Sequence, residues 1–165
     1  VVWLENPGTA DITQAWTVHT VGNRGGLTRL AVADVDGDGD LDIVATSRTT
    51  GEVILFENLG DPRSDRWHSY VIADLSPEEP DALSPGDLDR DGQTDLLVGS
   101  DGPEGTIFWL TPYDNVRLSW SVQELTKTGA EVGELPRGNL DGAGGLDFAT
   151  TLAGSATPVV WFRQD

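Results

Sequence analysis

The stretch Asp34-Val35-Asp36-Gly37-Asp38-Gly39-Asp40-Leu41-Asp42 decides how the rest of the chain is read. It returns as Asp87-Leu88-Asp89-Arg90-Asp91-Gly92-Gln93-Thr94-Asp95 and, in worn form, as Asn139-Leu140-Asp141-Gly142-Ala143-Gly144-Gly145-Leu146-Asp147. Carboxylates at places 1, 3, 5 and 9 of a nine-residue loop, with Gly at place 6, suit a hard cation that takes six to eight oxygens. An EF-hand would need a bidentate Glu at place 12. Ala45 and Val98 stand there, inside apolar runs, so a helix-loop-helix is excluded.

The three loops begin at 34, 87 and 139, steps of 53 and 52 residues. Two further markers keep that period. One is an apolar triplet: Val2-Trp3-Leu4, Ile54-Leu55-Phe56, Phe108-Trp109-Leu110 and Val160-Trp161-Phe162. The other is a single indole, Trp16, Trp67 and Trp120. A shared period marks a repeat architecture, and it is tested before any element is assigned. Within one period every apolar run has strand character. Leu27 to Ala33 leads into the acidic loop, Leu41 to Thr46 leaves it, Glu52 to Glu57 follows the Thr49-Thr50-Gly51 turn, and Trp67 to Ala73 closes the unit. Four short strands per unit, with no helical periodicity, predict an all-β fold and a propeller blade.

The predicted fold is therefore a partial β-propeller of about three blades of four antiparallel strands, forming a single domain over 1–165. The blade periods run 1–26 (a half blade), 27–78, 79–129 and 130–165 (incomplete). The chain has no Met and opens on the strand-like Val1-Val2-Trp3-Leu4. It reads as a piece of something longer, or as one that completes its ring with another chain.

Composition narrows the function. A net charge of -18, from 28 acidic and 10 basic residues, disfavours nucleic acid and anionic membrane surfaces. Nine of those acidic residues sit in loops one and two. No apolar run approaches the roughly 20 residues that cross a bilayer as a helix, so no membrane insertion is expected. There is no Cys, hence no disulfide frame and no thiolate metal site. Free calcium is low in the cytosol, so the loops point to an extracellular, periplasmic or cell-surface setting.

Two calcium sites are expected. In loop one the ligands are the side chains of Asp34, Asp36, Asp38 and Asp42 with the backbone carbonyl of Asp40. In loop two they are Asp87, Asp89, Asp91 and Asp95 with the carbonyl of Gln93. Four like charges in nine residues repel one another unless a cation offsets them, which weighs against plain Asp-Gly turns. Loop three keeps Asn139, Asp141 and Asp147, but Ala143 and Gly145 offer no side-chain oxygen, so it is degenerate.

The blade Ala33 to Ala45, followed by Val53-Ile54-Leu55-Phe56-Glu57-Asn58, Trp67 and Val71-Ile72, resembles the integrin-like calcium-binding propeller repeats, also called FG-GAP or VCBS repeats. The resemblance covers nearly the whole chain. It implies a seven-bladed or similar propeller with calcium between strands one and two of a blade. It also implies roles found in adhesion ectodomains, lectins and accessory or catalytic domains of polysaccharide-active proteins. The Phe-Gly and Gly-Ala-Pro flanks of the integrin version are missing. Trp3-Leu4-Glu5-Asn6 brings the chain nearer the bacterial-type repeat, away from integrin-style ligand binding.

No catalytic constellation is legible, and the chain is expected not to be an enzyme. His19 and His68 sit at unequal distances from their Trp markers, and a triad has no anchor. Glu5 and Glu57 share a repeat position, which raises a two-carboxylate glycosidase. Thr111 and Arg163 replace them in the other copies, so a role at the strand edge is preferred. Trp3, Trp109 and Trp161 could stack on sugars, but their fixed strand position favours packing between sheets. Trp16, Trp67 and Trp120 read as structural marks of the fourth strand. The expected partner is a protein or the remaining blades, with a glycan as the alternative.

Overall fold

The computed structural model describes residues 1–8, 11–64, 66–102, 104–156 and 159–162. These contain thirteen strands and no helix. β1 (Val2–Glu5) pairs with β2 (Thr17–Thr20). β3 (Leu27–Ala33), β4 (Asp42–Ser47), β5 (Glu52–Glu57) and β6 (His68–Asp74) form a four-stranded sheet in chain order. β7 (Pro80–Gly86), β8 (Asp95–Ser100), β9 (Thr106–Pro112) and β10 (Trp120–Lys127) repeat it. β11 (Arg137–Gly138), β12 (Asp147–Thr151) and β13 (Val159–Phe162) form a three-stranded sheet. All pairings are antiparallel. The strands stand where the hydrophobic runs place them, and Arg163 lies outside the described residues.

Side chains of a strand alternate between faces, and three apolar clusters use that alternation to join the sheets in series. Ile43, Ala45, Ile54 and Phe56 pack toward Val21 and Trp3 of the first sheet. The opposite face of the second sheet, with Val44, Val53 and Leu55, packs on Leu96, Val98 and Leu110 of the third. Leu97 and Ile107 meet Phe148 and Leu152 of the fourth. Both faces of the two middle sheets are thus covered, which is why β4 and β8 are buried along their whole lengths and read as continuous apolar runs. β7 carries Pro80 and Pro85 because it is an edge strand, where a missing N–H is tolerated.

The repeat extends to irregularities that composition does not announce. Register shifts fall between Leu27 and Arg29 and between Pro80 and Ala82, at matching places of the two four-stranded sheets. The outer faces of the terminal sheets are uncovered. Val2, Leu4 and Val18 are exposed on the first sheet, and Val159 and Trp161 on the last. Their counterparts Ile54, Phe56 and Leu55 are buried by a neighbouring sheet.

Candidate metal centre

Each acidic loop joins the first and second strands of its sheet: β3 to β4, β7 to β8 and β11 to β12. The three share one backbone shape, left-handed at places 4 and 6. Gly37 and Gly39 stand there in loop one and Gly142 and Gly144 in loop three. Loop two has Gly92 at place 6 but Arg90, with φ 66°, at place 4. A side chain in that region is strained, so Arg90 is held there by the surrounding loop.

The ninth residue of each loop is the clip that closes it. Asp42, Asp95 and Asp147 are fully or almost fully buried. Each accepts from the backbone N–H of the second loop residue: Val35 at 3.0 Å, Leu88 at 2.8 Å and Leu140 at 2.8 Å. Asp34 closes loop one from its other end, accepting from Gly37 N at 2.8 Å and Gly39 N at 3.1 Å. Asp87 does the same in loop two with Asp91 N and Gly92 N, both at 3.1 Å.

Two groups of carboxylates converge. Asp34, Asp36 and Asp42 each offer an oxygen within 4.8 Å of the others, and so do Asp87, Asp89 and Asp95. Asp38 and Asp91 lie outside these triads, their Oδ1 atoms accepting from Asp40 N and Gln93 N at 2.8 Å. Three of the four carboxylates expected in each loop therefore meet. The fourth folds back on the next peptide, and Asp40 and Gln93 follow it in the turn. Loop three brings together no such triad among the described residues.

Burial pushes the carboxyl of Asp42 up to about 6, against the N–H groups of Asn58 and Val35, which pull it down. Asp95 is raised for the same reason, and Asp36 is raised by burial with Asp38 and Glu57 nearby. The two ninth residues differ in one respect. Asp42 Oδ1 accepts a second backbone N–H, from Asn58, at 2.9 Å. In the next sheet Pro112 stands at that place and has no N–H to give. Asp95 Oδ1 is buried without a hydrogen-bond partner. The side chains of Thr111 and Trp109 lie close enough to favour its charged form, yet neither meets hydrogen-bonding geometry, and the Trp109 indole N–H is itself unpartnered.

The repeated Glu5 and Glu57 turn out to be one half of a latch between sheets. Arg63, in the β5–β6 connection, donates through Nε to Glu5 Oε1 at 2.9 Å. Arg117, in the β9–β10 connection, donates through Nε to Glu57 Oε2 at 2.9 Å, and its Nη2 pairs with Glu57 as well. The same Nη2 reaches Asp36 Oδ2 of loop one at 3.1 Å. Both glutamates are held below the usual carboxylate range, chiefly by those arginines. Sequence reasoning missed the arginines. Their own repeat spacing, 63 to 117, was the available signal.

The remaining candidates have local duties. The indoles of Trp16, Trp67 and Trp120 donate to the carbonyls of Ile12, Pro62 and Val116 at 3.2, 3.2 and 2.6 Å, bracing the turn before the fourth strand. Trp3 donates to Pro62 O at 3.0 Å and stacks on His19 with centroids 4.4 Å apart. His19 pairs with Glu5 at 2.8 Å, while His68 lies beside Tyr70. Trp109 is packed against the third apolar interface, and Trp161 is half exposed on the outer face.

Among curated proteins none matches the chain. Residues 34–98, which run from the first acidic loop through the second and into β8, match the family described as the FG-GAP-like repeat. The all-β sheets and their repeated acidic loops agree with that match, and the segment 34–98 is similar to an FG-GAP-like repeat.

Proposed function

We propose that this chain is a calcium-stabilised, non-catalytic interaction module that works outside the cytoplasm as part of a β-propeller. The observation that carries the calcium reading is Asp95, a fully buried carboxylate in the second triad with one oxygen that no protein donor satisfies. A buried charge without a partner is unfavourable, and a hard cation with oxygen ligands removes that penalty. Asp34, Asp36 and Asp42 would hold one ion and Asp87, Asp89 and Asp95 another, with the remaining acceptors of each turn or water completing the shell. When bound, calcium supplies positive charge and pins the first two strands of a sheet at a fixed register. The chain itself does the rest through its ninth-place aspartates, which fold the loops.

The uncovered apolar faces of the first and last sheets support the interaction role. Every equivalent face within the chain is covered by another sheet of the repeat, so the fitting occupant is a further sheet of that kind. A carbohydrate reading stands second, on one observation. An open groove beside loop one is bounded by Trp3, Trp67, Asp40 and Asn58, and indole faces beside polar groups suit a pyranose ring. A glycan array separates the two readings.

The calcium reading is tested by calorimetric titration and by melting with and without chelator. Each site filled at a hundred times its Kd adds roughly 2.7 kcal/mol, which is about 5–10 °C for a chain of this length. Asp36→Ala with Asp89→Ala removes most of that difference. No heat of binding together with a melting temperature indifferent to chelator would refute the reading.

A further inference from the structure

The two triads differ in what surrounds them. Among the described residues no basic side chain forms an ion pair with the carboxylates of the loop-two triad. Loop one shares Asp36 with Arg117, a residue 81 positions away on the neighbouring sheet. The Arg117 guanidinium bridges two carboxylates, Asp36 of the triad and Glu57 of the latch. Asp36 has both oxygens engaged, Oδ1 by Asp38 N at 3.2 Å and Oδ2 by Arg117. A cation entering loop one must take an oxygen from Asp36 while a fixed positive charge lies in hydrogen-bond contact with it.

We propose that Arg117 is the residue that sets the cation affinity of loop one, competing with the ion for Asp36, and that Glu57 tunes the site by drawing Arg117 away. The proposal rests on the calcium reading above. Binding at loop one and the latch between the second and third sheets are then linked, and linkage is reciprocal. An ion in loop one weakens the hold of Arg117 on Asp36, and removing Arg117 strengthens the hold of loop one on the ion. Arg63, the counterpart of Arg117, reaches Glu5 in the same way, and among the described residues Arg117 is the arginine that also pairs with a loop-one triad carboxylate.

The opposite signs expected for the two partners make the idea testable. Calcium is titrated calorimetrically into chelator-stripped protein carrying Asp89→Ala, which isolates loop one, and separately into protein carrying Asp36→Ala, which isolates loop two. In the first background Arg117→Gln is expected to tighten binding by about tenfold, within the usual range of coupling between sites. Glu57→Gln, which frees Arg117 for Asp36, is expected to weaken it by a similar factor. In the second background neither change moves the affinity. Weaker or unchanged binding in Arg117→Gln, with circular dichroism of a folded protein, overturns the proposal. So does a change of one sign in both variants, which is what general loosening would give. Absence of calcium uptake in both backgrounds overturns the calcium reading itself.

Discussion

Arg63→Ala and Arg117→Ala remove the same repeat position, and the structure predicts very different losses of stability. The Glu5 side chain is 27% exposed and its partner Arg63 62%. An ion pair so placed is screened by water and contributes little to stability. Glu57 is 2% exposed beneath an Arg117 that is 38% exposed. Stripping one partner from a buried pair commonly costs about 3–5 kcal/mol, because the other charge stays behind. The exposure of Arg117 lets water replace part of it, which places the loss near ~2–3 kcal/mol, and for this length a fall in melting temperature of about 5–10 °C.

The assay is urea denaturation of both variants in chelator, read by tryptophan fluorescence, since an occupied loop one would alter the balance at Asp36. A cycle with Glu57→Gln completes it. Arg117→Ala in that background is expected to cost under about 1 kcal/mol, because no buried charge is left unpaired. Equal losses for Arg63→Ala and Arg117→Ala, or an undiminished loss in the double variant, would refute the view that burial of Glu57 makes the latch strong.

Three further perturbations have definite signs. Arg90→Gly relieves a left-handed residue of about 1–2 kcal/mol of strain against the extra chain freedom of Gly, and a gain of roughly 0.5–1 kcal/mol is expected in thermal melts; a loss would mean that the Arg90 side chain, whose Nη2 lies beside Gly144 of loop three, contributes more than the strain costs. Asp147→Ala is expected to cost about 2–4 kcal/mol in chelator, since it strips acceptors from the N–H groups of Leu140 and Asp141; an effect that appears only with calcium would contradict a structural clip. Because the Asp42 carboxyl is raised from 3.8 to about 6 on folding, its folded form is favoured when protonated, so calcium-free protein loses on the order of 3 kcal/mol from this group as pH rises from about 4 to about 6. Asp42→Asn should reduce the slope in pH-dependent denaturation, leaving the part that Asp95 and Asp36 contribute, and an unreduced slope would place its origin elsewhere.

Much of this was legible in the sequence. Apolar runs near Leu27, Ile43, Val53 and Val71 became β3 to β6 because each strand pairs with the next, a topology that needs only short turns. The reading of Trp16, Trp67 and Trp120 as structural marks agrees with their indole bonds to the preceding turn. What stayed hidden lies between units. The Arg117 contact with Asp36 joins two irregular segments of neighbouring sheets, and the 63-to-117 spacing marks the arginines without naming the partners they reach. The orphaned Asp95 Oδ1 depends on Pro112 standing where Asn58 stands one unit earlier, and a missing N–H has no signature until register is known. Nor does the spacing of the acidic places announce the local bonds of the turns, in which Asp38 and Asp91 accept the peptide N–H two residues on, as the triad members Asp36 and Asp89 also do.

Local hydrogen bonding also accounts for the ninth aspartate of loop three, where Asn139, Ala143 and Gly145 stand at places that are acidic in loop one. A residue needed only for an ion would have little task in a loop where Asn139 replaces the first carboxylate of the triad. Asp147 instead remains buried and accepts from Leu140 and Asp141, work that Asp42 and Asp95 also perform at their own loops. On the proposed calcium reading, folding the hairpin and holding a cation would therefore be separable tasks on one side chain. The first uses one oxygen and is common to all three units. The second needs the other oxygen, and there the units diverge: Asn58 occupies it in one sheet and Pro112 frees it in the next. On the proposed calcium reading, variation at the residue that follows strand three, rather than within the loop itself, would adjust how strongly each unit calls for an ion.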